Sequence, residues 1–97
     1  STYYIMLALV EPRHGYAVMQ AVDKITRGAV KIGPGTLYGA FLNLEKAGLI
    51  VKVSEEERRK SYTLTMKGRN VLLLQLERLA NMIRNGADAF NQFSSGR

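Results

Sequence analysis

The sequence predicts a mainly α-helical fold with one small β-hairpin. Apolar residues recur at helical spacing in four segments of the chain. Between the third and fourth segments, two stretches rich in β-branched and aromatic residues flank a run of charged residues. The fourth helical segment is much longer than the others. We therefore expect three short helices, a hairpin and a long helix, in that order.

The first helix is expected at Thr2–Val10, whose residues are apolar nearly all round, as in a helix buried on several sides. It ends at Glu11, because Pro12 disfavours helix in the residue before it. The second helix is expected at about His14–Arg27, where apolar residues follow the spacing i, i+3, i+4, i+7. These residues are Val18, Ala21, Val22 and Ile25, and Gly28 follows as a C-cap glycine.

The third helix is expected at Pro34–Ala47. Pro34 suits a first helical turn, since its missing N–H would be unpaired there anyway, and Gly48 ends the segment. One face is an apolar stripe of Leu37, Ala40, Phe41 and Leu44. The opposite face has Gly35, Gly39, Leu42, Asn43 and Lys46.

The hairpin is expected to have strands at Leu49–Val53 and Ser61–Thr65, because both segments contain the residue types that strands prefer. The polar run Ser54–Lys60 between them is predicted to be a loop at the hairpin tip. Its charged residues are Glu55, Glu56, Glu57, Arg58, Arg59 and Lys60.

The last helix is expected to begin after Thr65, a good N-cap residue, and to run from about Met66 to Phe90 or beyond. Apolar residues alternate along it in steps of four and three, the spacing of a coiled-coil seam. The dimerisation residues predicted from this seam are Leu72, Leu76, Leu79, Ile83 and Phe90. Alternatively, the seam packs against its own domain, and a second stripe at Leu73, Ala80 and Ala87 packs against the partner subunit.

Composition limits the functions that are open to this chain. Its 97 residues suffice for one domain, and a net charge of +6 favours a polyanionic partner. There is no cysteine and one histidine, so a zinc site built from protein ligands is not expected. No nucleophile–base pair is visible, which argues against an enzyme or a cofactor. No apolar run is long enough to span a membrane, and the cytoplasm is the expected compartment.

The predicted order of elements is that of a winged helix-turn-helix domain at residues 1–65, followed by a dimerisation helix at 66–97. In such a domain the third helix enters the major groove of DNA, and the basic wing tip contacts backbone phosphate. The DNA-binding residues predicted on this basis are Thr36, Tyr38, Asn43, Lys46, Arg58, Arg59 and Lys60.

Six of these seven residues also have a plainer interpretation. The cations Arg58–Lys60 can be a solvated loop, and the neighbouring carboxylates would repel phosphate unless the loop turns them away. Tyr38 can lie half in the core, Thr36 can merely support the helix start, and Asn43 can pair with adenine or meet solvent.

Two further residues near the second helix are given structural roles. We interpret His14 as a helix-start or buried structural histidine. Tyr16 is expected in the core.

Several short motifs carry a family resemblance. They are His14-Gly15-Tyr16, Gly35-Thr36-Leu37-Tyr38, Leu44-Glu45, Gly48-Leu49-Ile50, Tyr62, Leu64-Thr65 and Gly68. In this order and spacing the chain resembles the PadR family of transcriptional regulators, over roughly residues 3–90. The short C-terminal region resembles that of the smaller subclass, which has a single C-terminal helix.

The resemblance implies a homodimer built through the C-terminal helix, repression at a palindromic operator, and often release by a small effector. A cleft at the centre of such a dimer would be lined near Gly86 and Ala87 and would suit a flat hydrophobic molecule. The alternative hypothesis is a winged-helix module that binds protein and not DNA.

Overall fold

The computed structural model describes residues 1–96, which form an elongated molecule of 54 × 27 × 19 Å. Within this range there are five helices and a three-stranded antiparallel sheet with the strand order β1-β3-β2. In chain order the elements are α1 (Thr2–Ala8), β1 (Arg13–His14), α2 (Gly15–Ile25), α3 (Pro34–Lys46), β2 (Ile50–Glu56), β3 (Arg59–Leu64), α4 (Met66–Asn85) and α5 (Ala87–Ser95).

The start and end of α2 have identifiable causes. His14 is its N-cap, because the ring Nδ1 accepts a hydrogen bond from the Ala17 N–H at 3.3 Å. The helix-start interpretation of His14 is therefore confirmed. At the other end, Gly28 has a φ of +81° and donates its N–H to the Asp23 carbonyl at 2.8 Å. The predicted C-cap glycine thus closes the end of this helix.

Helix α3 follows the prediction to within one residue. Its stripe residues Leu37, Phe41 and Leu44 are buried, and Pro34 lies in the first turn. At its C-terminal end, the Ala47 carbonyl accepts a hydrogen bond from the Lys67 Nζ of α4 at 2.8 Å. The face opposite the stripe, with Gly35, Gly39, Leu42, Asn43 and Lys46, is exposed and accessible to a ligand.

The wing differs from the prediction of a long loop at Ser54–Lys60. Strand β2 continues to Glu56 and β3 begins at Arg59, which leaves Glu57 and Arg58 as the turn. Both turn residues have positive φ, 49° and 69°, as two-residue hairpin turns require. The prediction was wrong because residue type suggested a loop, whereas ladder hydrogen bonds are made by backbone groups that every charged residue has.

A third strand was not predicted. The two residues of β1 pair with β3 in the register Arg13↔Tyr62 and His14↔Ser61. A strand this short has no detectable alternation in sequence. It attaches the start of α2 directly to the wing.

One apolar core lies beneath these elements. Thirteen buried residues form it, eleven from the first three helices, the sheet and α4, and two, Leu9 and Ile32, from the segments between elements. They are Ile5, Met6, Ala8, Leu9, Val18, Val22, Ile32, Leu37, Phe41, Leu44, Ile50, Leu64 and Leu72. The wing is tied to α1 as well, since the Leu64 N–H and the Thr63 hydroxyl both donate to the Leu9 carbonyl at 3.0 Å.

The C-terminal segment differs from the prediction of a single long helix. It is two helices, because α4 ends at Asn85 and α5 begins at Ala87, with Gly86 between them. Glycine is a poor helix former, so a break at this position is physically reasonable. The predicted dimerisation residue Leu72 is only 5% exposed and belongs to the core of its own chain. The N-cap prediction is confirmed, as the Thr65 hydroxyl accepts the Gly68 N–H at 3.0 Å.

In residues 1–96, no helix has the length and hydropathy needed to cross a bilayer. Nor does any group of three or more His, Asp or Glu side chains in that range have the proximity needed to hold a metal ion.

Candidate nucleic-acid interface

The four residues predicted on α3 are all exposed, but they do not lie together. At about 100° per residue, Thr36 and Asn43 stand one above the other on one border of the exposed side. Tyr38 lies on the opposite border and is 57% exposed. Lys46 lies between the two borders. The exposed side of α3 therefore has two edges of different chemistry.

The edge with Tyr38 faces the wing across a groove of about 450 Å³. The wing side of this groove contains all three predicted cations, Arg58, Arg59 and Lys60. The structure thus brings Tyr38 together with the wing residues, whereas Thr36, Asn43 and Lys46 lie outside the groove. The complete lining is His14, Gly15, Tyr16, Tyr38, Phe41, Leu42, Glu45, Arg58, Arg59, Lys60 and Tyr62.

Three aromatic rings connect the two sides of the groove. The ring centroids of Tyr38 and Phe41 are 6.1 Å apart in an edge-to-face arrangement, and those of Phe41 and Tyr62 are 4.9 Å apart. Phe41 is buried, so it fixes the two tyrosines from below. Because aromatic pairs of this geometry stabilise a fixed arrangement, the positions of the two phenols are set by the fold.

The start of α2 forms one end of the groove, and its close approach to α3 explains why residue 15 is a glycine. A Cβ at Gly15 would lie 2.7 Å from the Tyr38 Oη and 3.2 Å from the Leu37 Cδ2. Only glycine allows α2 and α3 to approach this closely without displacing the Tyr38 ring. Gly15 therefore helps to position a predicted DNA-binding residue that lies 23 positions further along the chain.

Two groove residues were missed or misplaced by the sequence analysis. Tyr16, expected in the core, is 62% exposed and lines the groove, so that prediction was wrong. Its position is about 200° from that of buried Val18 on a helical wheel, which could have revealed its exposure. Tyr62 was not assigned a site role, because its place opposite α3 depends on the strand register.

The charge in the groove is mixed. Burial is the main cause that raises the pKa of the Tyr62 phenol above its usual range, and the Glu45 carboxylate raises it further. Lys52 acts in the opposite direction, and Glu55 again raises this pKa. The Tyr62 hydroxyl therefore keeps its proton at neutral pH and can donate a hydrogen bond to an anionic oxygen.

Residues 5–73 match the family described as transcriptional regulator PadR-like. The fold is similar to that of a transcriptional regulator from Clostridium thermocellum, with a TM-score of 0.72, 28% identity, and coverage of 95% of this chain and 89% of that one. It is also similar to a PadR family transcriptional regulator from Eggerthella lenta, with a TM-score of 0.68, 25% identity, and coverage of 92% and 79%.

A curated relative is similar in sequence. It is an uncharacterized 37.1 kDa protein in transposon TN4556 of Streptomyces fradiae, 33% identical over 79 residues. This match covers 80% of the chain but only 22% of the relative, so the chain spans about a fifth of that protein's length.

Proposed function

Because the chain belongs to the PadR-like family of DNA-binding transcriptional regulators, we propose that it acts as a homodimeric repressor at a palindromic operator. The observation that supports this most is the groove between α3 and the wing, where exposed phenols stand opposite Arg58, Arg59 and Lys60. Hydroxyl and guanidinium donors are the groups that contact phosphate oxygens. The family consists of transcriptional regulators and not of enzymes.

We propose that the two edges of α3 have different tasks. The edge with Tyr38 contacts the sugar–phosphate strand, which passes through the groove between helix and wing. The edge with Thr36 and Asn43 lies in the major groove, where an amide can form two hydrogen bonds with adenine. Lys46 lies between them and contacts phosphate. A protein with this function must reach chromosomal DNA. For this reason we predict that it is located in the cytoplasm.

The C-terminal helices support the proposed homodimer. Ile83 and Phe90 are 74% and 69% exposed, Leu76 is also exposed, and Leu79 is half-buried. Helix α5 has no buried residue. An apolar surface of this extent is rarely left in water, so a partner subunit is the proposed cover.

A second apolar surface lies between α1 and α4. It is a groove of about 380 Å³ with mainly apolar walls. We propose that it receives the C-terminal helices of the second copy, because both surfaces are apolar and lie on the same chain. The residues that line it are Tyr3, Met6, Val71, Leu72, Leu74, Gln75 and Arg78.

A salt titration of duplex binding tests the proposed function. The double change Arg58→Ala and Arg59→Ala is expected to weaken binding to every duplex, because phosphate contacts of the wing are lost. The slope of log affinity against log salt should flatten by up to ~0.9 for each contact. The control is Lys24→Ala with Arg84→Ala, which removes the same charge at exposed residues that line neither the groove beside the wing nor the groove between α1 and α4. Equal behaviour of the two variants would place the wing off the DNA, and a parent chain that ignores duplex would favour the protein-binding alternative.

Base selection by Asn43 is tested by comparing two DNAs. Asn43→Ala is expected to reduce the preference for the selected operator over random duplex by roughly 1–3 kcal/mol, if the amide pairs with adenine in bidentate fashion. Binding is measured for both duplexes in the same buffer. Equal losses on the two DNAs would assign Asn43 to the backbone.

We also propose that a flat hydrophobic effector binds at the dimer centre, near the junction of α4 and α5. Gly86 at this junction leaves room, and exposed Ile83 and Phe90 flank it. Gly86→Leu is expected to abolish the binding of planar aromatic compounds in calorimetry by filling this space. The idea fails if no such compound binds the parent protein, while the DNA-binding proposal would stand.

A further inference from the structure

The wing tip has no net charge, although the chain as a whole has a net charge of +6. Three carboxylates at Glu55–Glu57 are followed directly by three cations at Arg58–Lys60, and all six residues are exposed. A wing that only attracted phosphate would not need the carboxylates. Their number and position indicate a separate role.

The strand register pairs these opposite charges across the hairpin. Glu56 stands opposite Arg59 and Glu55 opposite Lys60, after an irregularity between Lys52 and Ser54 shifts the register. Residues directly opposite each other have Cβ atoms about 4.5–5.5 Å apart, close enough for opposite charges to attract. Glu55 also forms an ion pair with Lys52, with its Oε1 at 3.2 Å from the Lys52 Nζ.

The turn cation is in a different position. Arg58 lies at the turn and has no cross-strand carboxylate, since its neighbour in the turn is Glu57. Arg58 can therefore contact phosphate without leaving a partner. Arg59 and Lys60 each stand opposite a carboxylate in the strand register, so a move toward phosphate takes them away from that opposite charge.

This difference between Arg58 and the other two wing cations affects the affinity for random duplex and the affinity for the operator unequally. Binding to random duplex is almost wholly electrostatic, so it depends on the cations that are free to meet phosphate. On the operator, base contacts of α3 hold the wing against one segment of the DNA backbone. Because Arg59 and Lys60 then stay close to phosphate, they can exchange the wing carboxylates for phosphate as their neighbours. From this we infer that Glu55 and Glu56 are specificity determinants that lower affinity for random duplex more than affinity for the operator. The inference rests on the proposed DNA binding.

The test replaces both carboxylates by their amides, Glu55→Gln with Glu56→Gln, which preserves size. The control, Glu11→Gln with Glu77→Gln, makes the same charge change at exposed residues outside the groove. The probes are a random duplex and the duplex that the parent protein selects from a random library. Both are titrated over a range of salt concentrations.

The wing variant is expected to bind random duplex about 10-fold more tightly than the control variant at 0.1 M salt, since one added contact with a slope of ~0.9 gives ~8-fold. Its salt slope on random duplex should steepen by ~0.9–1.8, for one or two added contacts. Affinity for the selected duplex should change less than about threefold, so that the preference for it falls. Equal gains on both duplexes, or no gain over the control, would overturn the inference.

The same variants separate this inference from the proposed function. A parent chain that binds no duplex contradicts the proposed function, whatever the variants do. Elution from heparin, a polyanion without base sequence, is then compared between the wing variant and the control, so that the difference reports on the wing. Later elution of the wing variant than of the control supports the masking of wing cations by carboxylates, and equal elution contradicts it.

Discussion

Replacing Gly68 by alanine is expected to destabilise the protein by at least about 3 kcal/mol, the upper end of the overpacking costs seen in well-packed cores. A Cβ at this position would overlap the Leu49 carbonyl oxygen and lie 3.0 Å from its carbonyl carbon. These are backbone atoms, so no side-chain rotation can relieve the clash. Relief requires the first turn of α4 to move away from the residue that precedes β2.

The cost of that movement extends beyond the clash. The Thr65 hydroxyl accepts from the Gly68 N–H and donates to the Gly48 carbonyl at 2.6 Å, so it joins the end of α3 to the start of α4. The Thr65 N–H also donates to the Leu49 carbonyl at 3.0 Å. A shift of α4 would strain all three bonds. Against these losses, alanine gains only ~1 kcal/mol over glycine in helix propensity.

Thermal unfolding measures this effect. For a domain of this size 1 kcal/mol corresponds to a change of about 4–8 °C in Tm, so we expect Gly68→Ala to lower the Tm by about 12 °C or more. The matched control is Gly39→Ala, in the exposed part of α3, where nothing lies within 4 Å of an added Cβ. Helix propensity predicts that this control is about 0.5–1 kcal/mol more stable than the parent. A Gly68→Ala variant that melts with the parent would show that this packing is not needed.

The elements that the sequence predicted well are those with a local cause. Pro34 and Gly48 bound α3, and Thr65 caps α4 through its own hydroxyl. These effects act over one helical turn, so they can be inferred without knowledge of the tertiary structure. The buried stripe of α3 follows from periodicity in the same way.

The features that the sequence missed depend on distant residues. Strand β1 exists because Arg13 and His14 pair with Tyr62 and Ser61, which lie in β3 beyond α2, α3 and β2. Leu72 is buried because α4 packs against α1, although the seam spacing places it with the exposed residues of the same stripe. Spacing along one helix defines a face, but it does not say which part of that face the chain itself covers.

In the candidate site, too, some features follow from local sequence and others depend on tertiary contacts. All seven predicted DNA-binding residues are exposed, as their polar or amphipathic character suggests. The grouping of Tyr38 with the wing, and the inclusion of Tyr62, come from the strand register and from the close approach at Gly15. Tertiary contacts of this kind join residues that are far apart in sequence, so no local pattern predicts them.

Replacing Leu79 and Ile83 by lysine is expected to convert a dimer into monomer. The two residues are one helical turn apart on α4, and Ile83 is among the most exposed apolar side chains of the chain. In a dimer each lysine would place a charge in an apolar interface, and burying an unpaired charge costs several kcal/mol. With two copies of each change in a two-fold dimer, the total exceeds the strength of an ordinary interface.

Light scattering measures the mass of each variant, and the control is Asn81→Lys with Asn85→Lys. These exposed residues have the same spacing and gain the same charge, but lie about 200° away on the helix. The control should keep the mass of two chains, while the Leu79 and Ile83 variant should have the mass of one. Because a dimer of small chains can unfold when it dissociates, Leu79→Ala with Ile83→Ala is the gentler second variant. It should remain helical by circular dichroism and dissociate at a higher protein concentration than the parent. A parent that is already monomeric, or lysine and alanine variants that stay dimeric at every concentration, would remove this surface from the dimer interface.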